Sequence, residues 1–323
     1  MSARVTTDYL KSRVSKLYSH YDGAQLVTKR RLSWFWVVLA PFRYLNDRFY
    51  LKQKLRRHFP ETYQRVDQAR GFERIFPEKD LVTAIVERVK QLKKEPKTNN
   101  SKEYLQPISD LSDYDLSSPE FKLATSPTLV AMVSDYLGTF PYLFNITALW
   151  SPSPEFISQD KGISISKYKG SQLFHRDGDD LKIVKVWILC SDVSSENGPT
   201  ILISAEESEK ICRNLKHRQE EKISLEAEQS LDINENYINR AIGSLGTVYF
   251  TDTDRLLHYG SRTENSSERL VFMIHYVSFF SKYNRRFALQ TAKVPRINAA
   301  IIRERNALND LQRALLRDRL KAI

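Results

Sequence analysis

The chain has few cysteines and no long apolar run, and each shortage excludes a class of protein. Two cysteines, Cys190 and Cys212, occur among 323 residues. They are too few for a disulfide framework and lack the paired spacing of a cysteine-bound metal. Residues 1–16 are polar and charged, without the apolar segment of a secretory signal peptide. We therefore expect a cytoplasmic protein, with a peripheral membrane location as the alternative.

The aromatic stretch at residues 29–44 is the candidate for membrane contact. Its uncharged run is far shorter than the roughly 20 apolar residues that a spanning helix needs, and Pro41 and Arg43 end it. The stretch is either a helix buried in a core or interface, or an anchor at the membrane–water interface. The anchor would put aromatic side chains into lipid and arginine side chains onto headgroups. These residues are Trp34, Phe35, Trp36, Arg30, Arg31 and Arg43.

The net charge of +11 is concentrated in the two ends of the chain. Residues 1–100 contain 22 Lys/Arg and 10 Asp/Glu, and residues 291–323 contain 8 and 3, so residues 101–290 carry a net charge of −6. A basic protein can bind nucleic acid, an anionic membrane or an acidic substrate. Because no basic nucleic-acid-reading motif accompanies the charge, nucleic acid is not an expected partner. We expect a small-molecule substrate, and the basic ends favour an anionic or lipid-linked one.

The pattern of apolar residues predicts a mainly β core with helical flanks. With 41% apolar residues, the chain can bury a sizeable core. Seven segments are rich in β-branched and aromatic residues: 142–150, 162–168, 173–177, 183–190, 200–204, 247–251 and 270–280. So many short strands predict a β sandwich or barrel. Helical patterns occupy residues 6–21, 51–68, 77–92, 127–137 and 296–323.

These patterns divide the chain into three parts. We expect a basic helical cap at residues 1–100, the β core at residues 101–290, and an amphipathic C-terminal helix within residues 291–323 that packs on the core. Inside the core, residues 205–239 are dense in Glu, Lys and Gln. This segment is either an insertion beside the mouth of a site or a solvated surface helix.

A pair of metal-ligand residue types stands before the strand at 183–190. His175 and Asp177 are two residues apart, so in an extended segment both side chains lie on one face. The downstream histidine next to strand-like sequence is His258, which supplies a third ligand. Two histidines and one aspartate form the facial triad that leaves metal positions open for oxygen and a substrate. Taken alone, the His-x-Asp pair also fits a surface turn.

Two arginines follow His258 and are candidates for binding a ligand carboxylate. Arg269 lies eleven residues after His258, at the start of the apolar strand, and a guanidinium there can pair bidentately with a carboxylate. Arg262 lies four residues after His258, in a loop. A rigid bidentate site is better built at the end of a strand, so we favour Arg269 over Arg262.

The order of these motifs resembles a known family. It consists of His-x-Asp, a strand with Trp187, a Glu-Asn-Gly-Pro turn, Gly-x-x-x-Phe-x-Asp-Thr at 246–253, then His258 and Arg269. Over about residues 140–280 the chain resembles the phytanoyl-CoA dioxygenase-like branch of the Fe(II)/2-oxoglutarate oxygenases. The resemblance implies a double-stranded β-helix fold (jelly-roll or cupin-like). It also implies an enzyme that hydroxylates a metabolite.

By position, the resemblance also assigns the site. It implies that His175, Asp177 and His258 bind Fe(II), that Arg269 binds 2-oxoglutarate, and that O2 is a cosubstrate. Gln172, Lys185 and Trp187 are further candidate pocket residues. Because the acidic ligand is retained, hydroxylation is expected rather than halogenation. The family's small-Gly-Ser/Thr-His stretch is absent at residues 200–207, which leaves the substrate class open.

Two other functions fit the sequence. The first is a non-catalytic protein with the same fold that binds a ligand or acts as a scaffold. The second is a zinc hydrolase built on a cupin-like barrel, a function in which Arg269 would have no role. Of the remaining histidines, His275 lies in an apolar strand and is expected to be a packed core residue. His20, His58 and His217 show no pattern of partners.

Overall fold

The computed structural model describes residues 26–39, 41–51, 63–93, 102–161 and 168–281. The helices are α1 (Leu26–Leu39), α2 (Pro41–Leu45), α3 (Lys79–Leu92), α4 (Pro119–Ala124), α5 (Pro127–Leu137), α6 (Pro154–Lys161), α7 (Ala205–Asn214) and α8 (Leu225–Gln229). The strands are β1 (Phe72–Ile75), β2 (Gln106–Pro107), β3 (Tyr142–Ser151), β4 (Ile183–Leu189), β5 (Ile201–Ile203), β6 (Ile238–Arg240), β7 (Val248–Thr251), β8 (His258–Tyr259) and β9 (Arg269–Val277). A π-helical segment, Asn46–Leu51, continues α2.

The strands form two antiparallel sheets. The larger has six strands in the order β1-β7-β4-β9-β3-β2, and the smaller has three in the order β6-β5-β8. Strands β3 and β9 pair from Tyr142 opposite Val277 to Ser151 opposite Arg269. Their β-branched and aromatic residues suit a pleated surface that is covered on both sides. The centre of the larger sheet is therefore apolar along most of its length.

The two sides of the larger sheet are packed differently. On one side, alternate residues of β4 and β9 join a buried cluster with helices α3, α4 and α5. On the other side, Leu189 and Val271 pack with Leu202 of the smaller sheet, so the two sheets share a core. Helix α7 packs on the smaller sheet through Ile211 and Cys212. The predicted fold class, a mainly β core with helical flanks, is confirmed.

Several predicted segments are confirmed and others are not. The helices at 77–92 and 127–137 correspond to α3 and α5, and five of the seven predicted strands correspond to β3, β4, β5, β7 and β9. Residues 63–68 are not helical, so that part of the predicted helix at 51–68 is wrong. Residues 173–177 form isolated bridges rather than a strand, because the chain pairs there only at His175. Residues 162–167 lie outside the described residues.

The predicted helical cap and the predicted insertion both contribute strands. Strand β1 lies before residue 100 and pairs with β7, so the larger sheet begins earlier than the boundary expected there. Residues 205–239 contain α7, α8 and most of β6, which pairs with β5. The helices predicted at 6–21 and 296–323 and the side chains of Phe35, Trp36 and Arg43 lie outside the described part. No described helix is long and apolar enough to cross a bilayer.

Candidate metal centre

The two candidate histidine ligands face each other across a short backbone pairing. The His175 N–H donates to the His258 carbonyl at 3.1 Å, and the His258 N–H donates to the His175 carbonyl at 2.9 Å. The two imidazole rings lie with their centroids 4.3 Å apart. Two residues later, the Asp177 N–H donates to the Thr253 carbonyl at 2.9 Å. This pairing holds the segment extended and directs both ligand candidates to one side.

The three side chains converge on one point. His175 Nε2 lies 3.9 Å from Asp177 Oδ1, and His258 Nε2 lies 3.9 Å from Asp177 Oδ2. One ligand atom from each of the three residues lies within 4.8 Å of the others, and no other such group occurs within the described ranges. With metal–ligand bonds of about 2 Å, atoms that share an ion lie about 3–4 Å apart. The spacing therefore fits a metal ion with only small adjustments.

Backbone carbonyls fix which nitrogen of each imidazole can bind a metal. His175 Nδ1 lies 2.8 Å from the Leu173 carbonyl, and His258 Nδ1 lies 3.0 Å from the Leu256 carbonyl. A carbonyl oxygen only accepts, so each Nδ1 carries the proton and each Nε2 presents a lone pair. Burial lowers the pKa of both imidazoles, that of His175 to about 3. At neutral pH both rings are therefore in the neutral form that binds metals.

The third ligand candidate is held by a lysine. Lys185, in β4, donates from Nζ to Asp177 Oδ2 at 2.7 Å. Burial acts to raise the pKa of Asp177, but Lys185 and the two histidines together hold it well below its usual value. Asp177 is consequently ionised at neutral pH. An ionised carboxylate with two neutral imidazoles is the donor set of the facial triad.

Arg269 is a buried cation surrounded by hydroxyl groups. Its guanidinium donates to Thr200 Oγ1 at 3.1 Å, to Ser261 Oγ at 2.9 Å and to Ser151 Oγ at 3.4 Å. Its Nε is buried without a hydrogen-bond partner, and no carboxylate in the described part of the chain lies within ion-pair distance. Burial lowers its pKa to about 10. Because an uncompensated buried charge is costly, this environment is suited to an anionic ligand.

A glycine lies beside the Arg269 guanidinium. A Cβ added at Gly260 would lie only 3.4 Å from Arg269 Nη2, so the glycine keeps that side of the guanidinium open. Gly260 is two residues after His258, at the end of β8. Two residues of extended chain span at most about 7 Å. The guanidinium thus lies next to the backbone that follows His258, one of the metal-ligand candidates.

Arg262, the competing candidate, is already paired. Its guanidinium donates from Nη1 and Nη2 to Glu228 Oε1 and Oε2 at 2.9 and 2.7 Å. It also lies over the ring of Tyr259, 3.5 Å from the centroid, and over that of Tyr168 at 4.6 Å. Its Nε donates to the Gln172 carbonyl at 2.7 Å. Because the bidentate edge of Arg262 is used within the protein, Arg269 is the better candidate for a ligand carboxylate.

Gln172 and Trp187 are near the site but contact other groups. The Gln172 side chain donates to the Ser261 carbonyl at 2.8 Å and accepts from the Lys169 N–H at 3.2 Å. It therefore positions the loop whose Ser261 hydroxyl contacts Arg269. Trp187 donates from Nε1 to Thr251 Oγ1 at 3.0 Å and packs in the core between the sheets. Neither belongs to the His175, Asp177 and His258 cluster.

The remaining histidines are structural in the described part. His275 is buried, with its ring 5.0 Å from that of Phe144, and its Nε2 lies 3.9 Å from Asp179 Oδ2. His217 Nε2 lies 3.2 Å from the Glu221 carbonyl. Neither joins the metal-ligand cluster. His20 and His58 lie outside the described residues.

Sequence reasoning missed three kinds of residue around the site. The buried Asp254 carboxylate accepts from the Asp179 and Asp180 N–H groups at 3.2 and 2.5 Å and so holds the turn after Asp177. Burial and the neighbouring aspartates raise its pKa well above the usual value. Lys222, within residues 205–239, pairs through its backbone with His175. The Asp-Thr-Asp sequence could have indicated Asp254 as a residue of the site. Lys222 and the hydroxyl groups around Arg269 come from distant elements, so no local sequence signal indicates them.

Comparisons with known proteins find only distant structural similarity. No family model matches the chain, and no curated protein matches it. Among solved structures, HygX from Streptomyces hygroscopicus with nickel and 2-oxoglutarate bound is 17% identical, with a TM-score of 0.45 over 66% of this chain and 84% of that one. The non-heme α-ketoglutarate-dependent epimerase SnoN is 14% identical, with a TM-score of 0.41 over 71% and 83%. EctD from S. alaskensis is 15% identical, with a TM-score of 0.41 over 65% and 74%. Likeness at this level does not assign a reaction to this chain.

Proposed function

We propose that this protein is an Fe(II)- and 2-oxoglutarate-dependent dioxygenase that hydroxylates a small or medium-sized metabolite. The observation that carries the proposal is the convergence of His175, Asp177 and His258, with both Nε2 atoms available to a metal. Two imidazoles and one carboxylate on one face suit Fe(II) and leave the opposite positions for other ligands. The motif order further supports membership of the phytanoyl-CoA dioxygenase-like branch.

Arg269 supports 2-oxoglutarate as the second ligand. A dicarboxylate that is bound at the metal through one end needs a cation for the other end. Arg269 is buried, lacks a carboxylate partner in the described part of the chain, and has an unused Nε. The hydroxyl groups of Thr200, Ser261 and Ser151 orient the guanidinium. A bidentate pair at this position would offset the desolvation of the buried charge.

The protein residues have distinct tasks in the proposed reaction. Iron with 2-oxoglutarate bound supplies the O2-dependent oxidation of a substrate C–H bond. The two histidines and Asp177 hold the metal from one side, and the Leu173 and Leu256 carbonyls fix the ring orientations. Lys185 holds one carboxylate oxygen of Asp177. Since Asp177 occupies the place that is small in halogenating relatives, we propose hydroxylation rather than halogenation.

The test is anaerobic reconstitution of the full chain with Fe(II) and 2-oxoglutarate. We expect the weak visible charge-transfer band of the chelate and, on admission of O2, slow conversion of 2-oxoglutarate to succinate. His175→Ala should lose both. His217→Gln is the matched control, because it removes another buried histidine whose contacts are structural. A folded protein that shows neither the band nor turnover would contradict the proposal.

A second candidate, a non-catalytic ligand-binding or scaffolding protein, is favoured by one observation. The Lys185 ammonium lies 2.7 Å from Asp177 Oδ2, where it competes with a metal for the carboxylate. A carboxylate has two oxygens, so it can hold Lys185 with one and a metal with the other. Titration of metal-free protein with Fe(II) or Mn(II) distinguishes the two functions. Stoichiometric binding that depends on His258 supports the dioxygenase, whereas 2-oxoglutarate binding without any metal binding supports the second candidate.

A further inference from the structure

An apolar stripe is exposed along the N-terminal helical segment, α1, α2 and Asn46–Leu51. The exposed fractions are 61% for Trp34, 62% for Val38, 86% for Phe42, 48% for Leu45 and 51% for Phe49. Trp34 and Val38 are four residues apart in α1, and Phe42 and Leu45 are three residues apart in α2, so each pair lies on one face of its helix. Three of the five are aromatic. A group of exposed apolar side chains along one segment marks an interaction surface more often than scattered exposed residues do.

Polar side chains of the same segment attach it to the core. The buried Lys29 ammonium donates to Gln219 Oε1 at 2.6 Å, and Arg30 forms an ion pair with Glu209 at 2.7 Å. The buried Asp47 carboxylate accepts from the Tyr142 hydroxyl. Surface helices usually bury the apolar face and expose the polar one. In this segment the charged side chains of Lys29 and Asp47 are buried while the stripe residues are exposed.

The charge around the stripe is positive. Residues 26–51 contain five Lys/Arg and one Asp/Glu, and that single acid, Asp47, is buried. Arg31 and Arg48 are exposed and lie beside Trp34 and Phe49 in the sequence. Anionic lipid headgroups complement such a surface, and aromatic side chains are favoured at the boundary between headgroups and acyl chains. A symmetric dimer through the stripe would instead bring like charges together.

We propose that residues 26–51 dock the protein on an anionic membrane surface. The stripe enters the boundary between headgroups and acyl chains, and Arg31 and Arg48 bind lipid phosphates. The surface does not depend on the proposed reaction. The Gln219 amide that binds Lys29 also donates to the Asp254 carbonyl at 3.2 Å, in the segment between β7 and β8.

The first experiment is sedimentation of the full chain with vesicles of phosphatidylcholine, with and without phosphatidylglycerol, at low and high salt. We expect the protein to pellet with the anionic vesicles at low salt and to be partly released at high salt. Phe42→Ser with Phe49→Ser should abolish pelleting. Arg31→Gln and Arg48→Gln should each lower the partition coefficient about fivefold, the equivalent of about 1 kcal/mol per basic residue.

A matched control lies elsewhere on the surface. Phe76 is 76% exposed, and the guanidinium of the exposed Arg74 lies 5.6 Å from its ring centroid. Arg74→Gln with Phe76→Ser removes a comparable aromatic and basic pair and should leave pelleting unchanged. Tryptophan emission should shift to shorter wavelength on anionic vesicles in the native chain, and Trp34→Phe should reduce that shift.

Three outcomes would overturn the proposal. The first is that the protein stays in the supernatant to the same extent with all vesicles. The second is that the stripe variants and the control variant lose the same amount of vesicle binding. The third is that light scattering shows a dimer that Phe42→Ser converts to a monomer. The third outcome would assign the stripe to self-association. Uncoupled 2-oxoglutarate turnover should be the same in the stripe variants and the native chain. A failure of membrane binding is therefore distinguishable from a failure of the proposed reaction.

Discussion

The two sides of the larger sheet differ sharply although the same strands form both. Toward helices α3 to α5, β4 and β9 present side chains that are apolar except for one tyrosine hydroxyl: Val184, Val186, Ile188, Leu270, Phe272, Ile274 and Tyr276. On the other side the same two strands carry Lys185, Trp187, Arg269 and His275. Because successive residues of a strand alternate between faces, one continuous strand can serve both surroundings.

The difference separates what stabilises the fold from what serves the site. Apolar burial on the helix side contributes favourable free energy of roughly 25 cal/mol per Å². On the site side, the buried charges of Lys185 and Arg269 cost desolvation, and only Lys185 has an ionic partner there among the described residues. We therefore expect substitutions on the helix side to alter stability, and substitutions on the site side to alter ligand binding.

The largest expected effect on stability is at Phe272. This side chain is fully buried on the helix side and makes an edge-to-face contact with Tyr114 at 6.1 Å between centroids. Phe272→Ala should lower the free energy of unfolding by about 3–5 kcal/mol, because it leaves a cavity. Urea unfolding measures this, with Phe272→Leu as the milder variant. If the folded fraction of either variant lost metal binding, the two sides of the sheet would not be separable.

The next largest effect is expected at Arg269. Arg269→Ala should weaken 2-oxoglutarate binding by about 2–3 kcal/mol, or roughly 30- to 150-fold, because hydrogen bonds between charged groups are lost. It should lower the free energy of unfolding less than Phe272→Ala does, because the loss of three hydrogen bonds to hydroxyl groups is offset by removal of a buried charge without an ionic partner among the described residues. Titration of the Mn(II)-loaded protein with 2-oxoglutarate measures the affinity.

Two controls make the Arg269 experiment specific. Arg262→Ala should lower stability, because Arg262 pairs with Glu228, but should weaken 2-oxoglutarate binding far less. Arg269→Lys keeps the charge but loses the bidentate geometry, so its affinity should be intermediate. If Arg262→Ala had the larger effect on affinity, Arg262 would be the carboxylate-binding residue.

The sequence predicts the site better than it predicts the segments around it. The spacing of His175 and Asp177 requires only a locally extended backbone, and the backbone hydrogen bonds of His175 with His258 and of Asp177 with Thr253 supply it. The hydroxyl groups around Arg269 were not predictable, because Ser151 reaches Arg269 only through the register of β3 against β9. Local sequence does not encode that register.

The errors in secondary structure have a similar cause. Strand β1 was missed because Phe72–Ile75 is short and includes two charged residues, and its pairing with β7 determines its conformation. Strand β6 was missed because it follows a segment rich in helix-forming residues. In both cases tertiary pairing overrides local propensity. Strands β4 and β9 are long and mostly apolar, so local sequence was sufficient to predict both.

The pH dependence of stability should arise on the site side. His175 has a folded pKa of about 3 against 6.5 for an unperturbed imidazole, so the unfolded chain binds a proton that the folded metal-free protein does not. The stability from this group is fully present above about pH 6.5 and is lost as the pH falls toward 3. The slope is up to about 1.4 kcal/mol per pH unit for such a histidine.

Two variants compare the site side of the larger sheet with its helix side in the pH dependence of stability. Urea unfolding of metal-free protein with chelator present, between about pH 6.5 and 4.5, should show a shallower slope for His175→Gln. Ile274→Val, on the helix side, should lower the free energy of unfolding by about 0.5–1.5 kcal/mol at every pH without changing the slope. An unchanged slope in His175→Gln would show that this histidine is not buried in its neutral form.

The smallest effect is expected at Trp187, which lies on the site side but belongs to the core between the sheets. Its Nε1 donates to Thr251 Oγ1 at 3.0 Å, and it lies opposite Met273 in β9. Trp187→Phe removes one hydrogen bond and should lower the free energy of unfolding by about 1 kcal/mol. Metal and 2-oxoglutarate affinities should stay within twofold of the native values, roughly the precision of such titrations. A large loss of 2-oxoglutarate affinity would instead show that Trp187 forms part of the ligand pocket, and the apolar and functional residues of β4 would then not be separable by face alone.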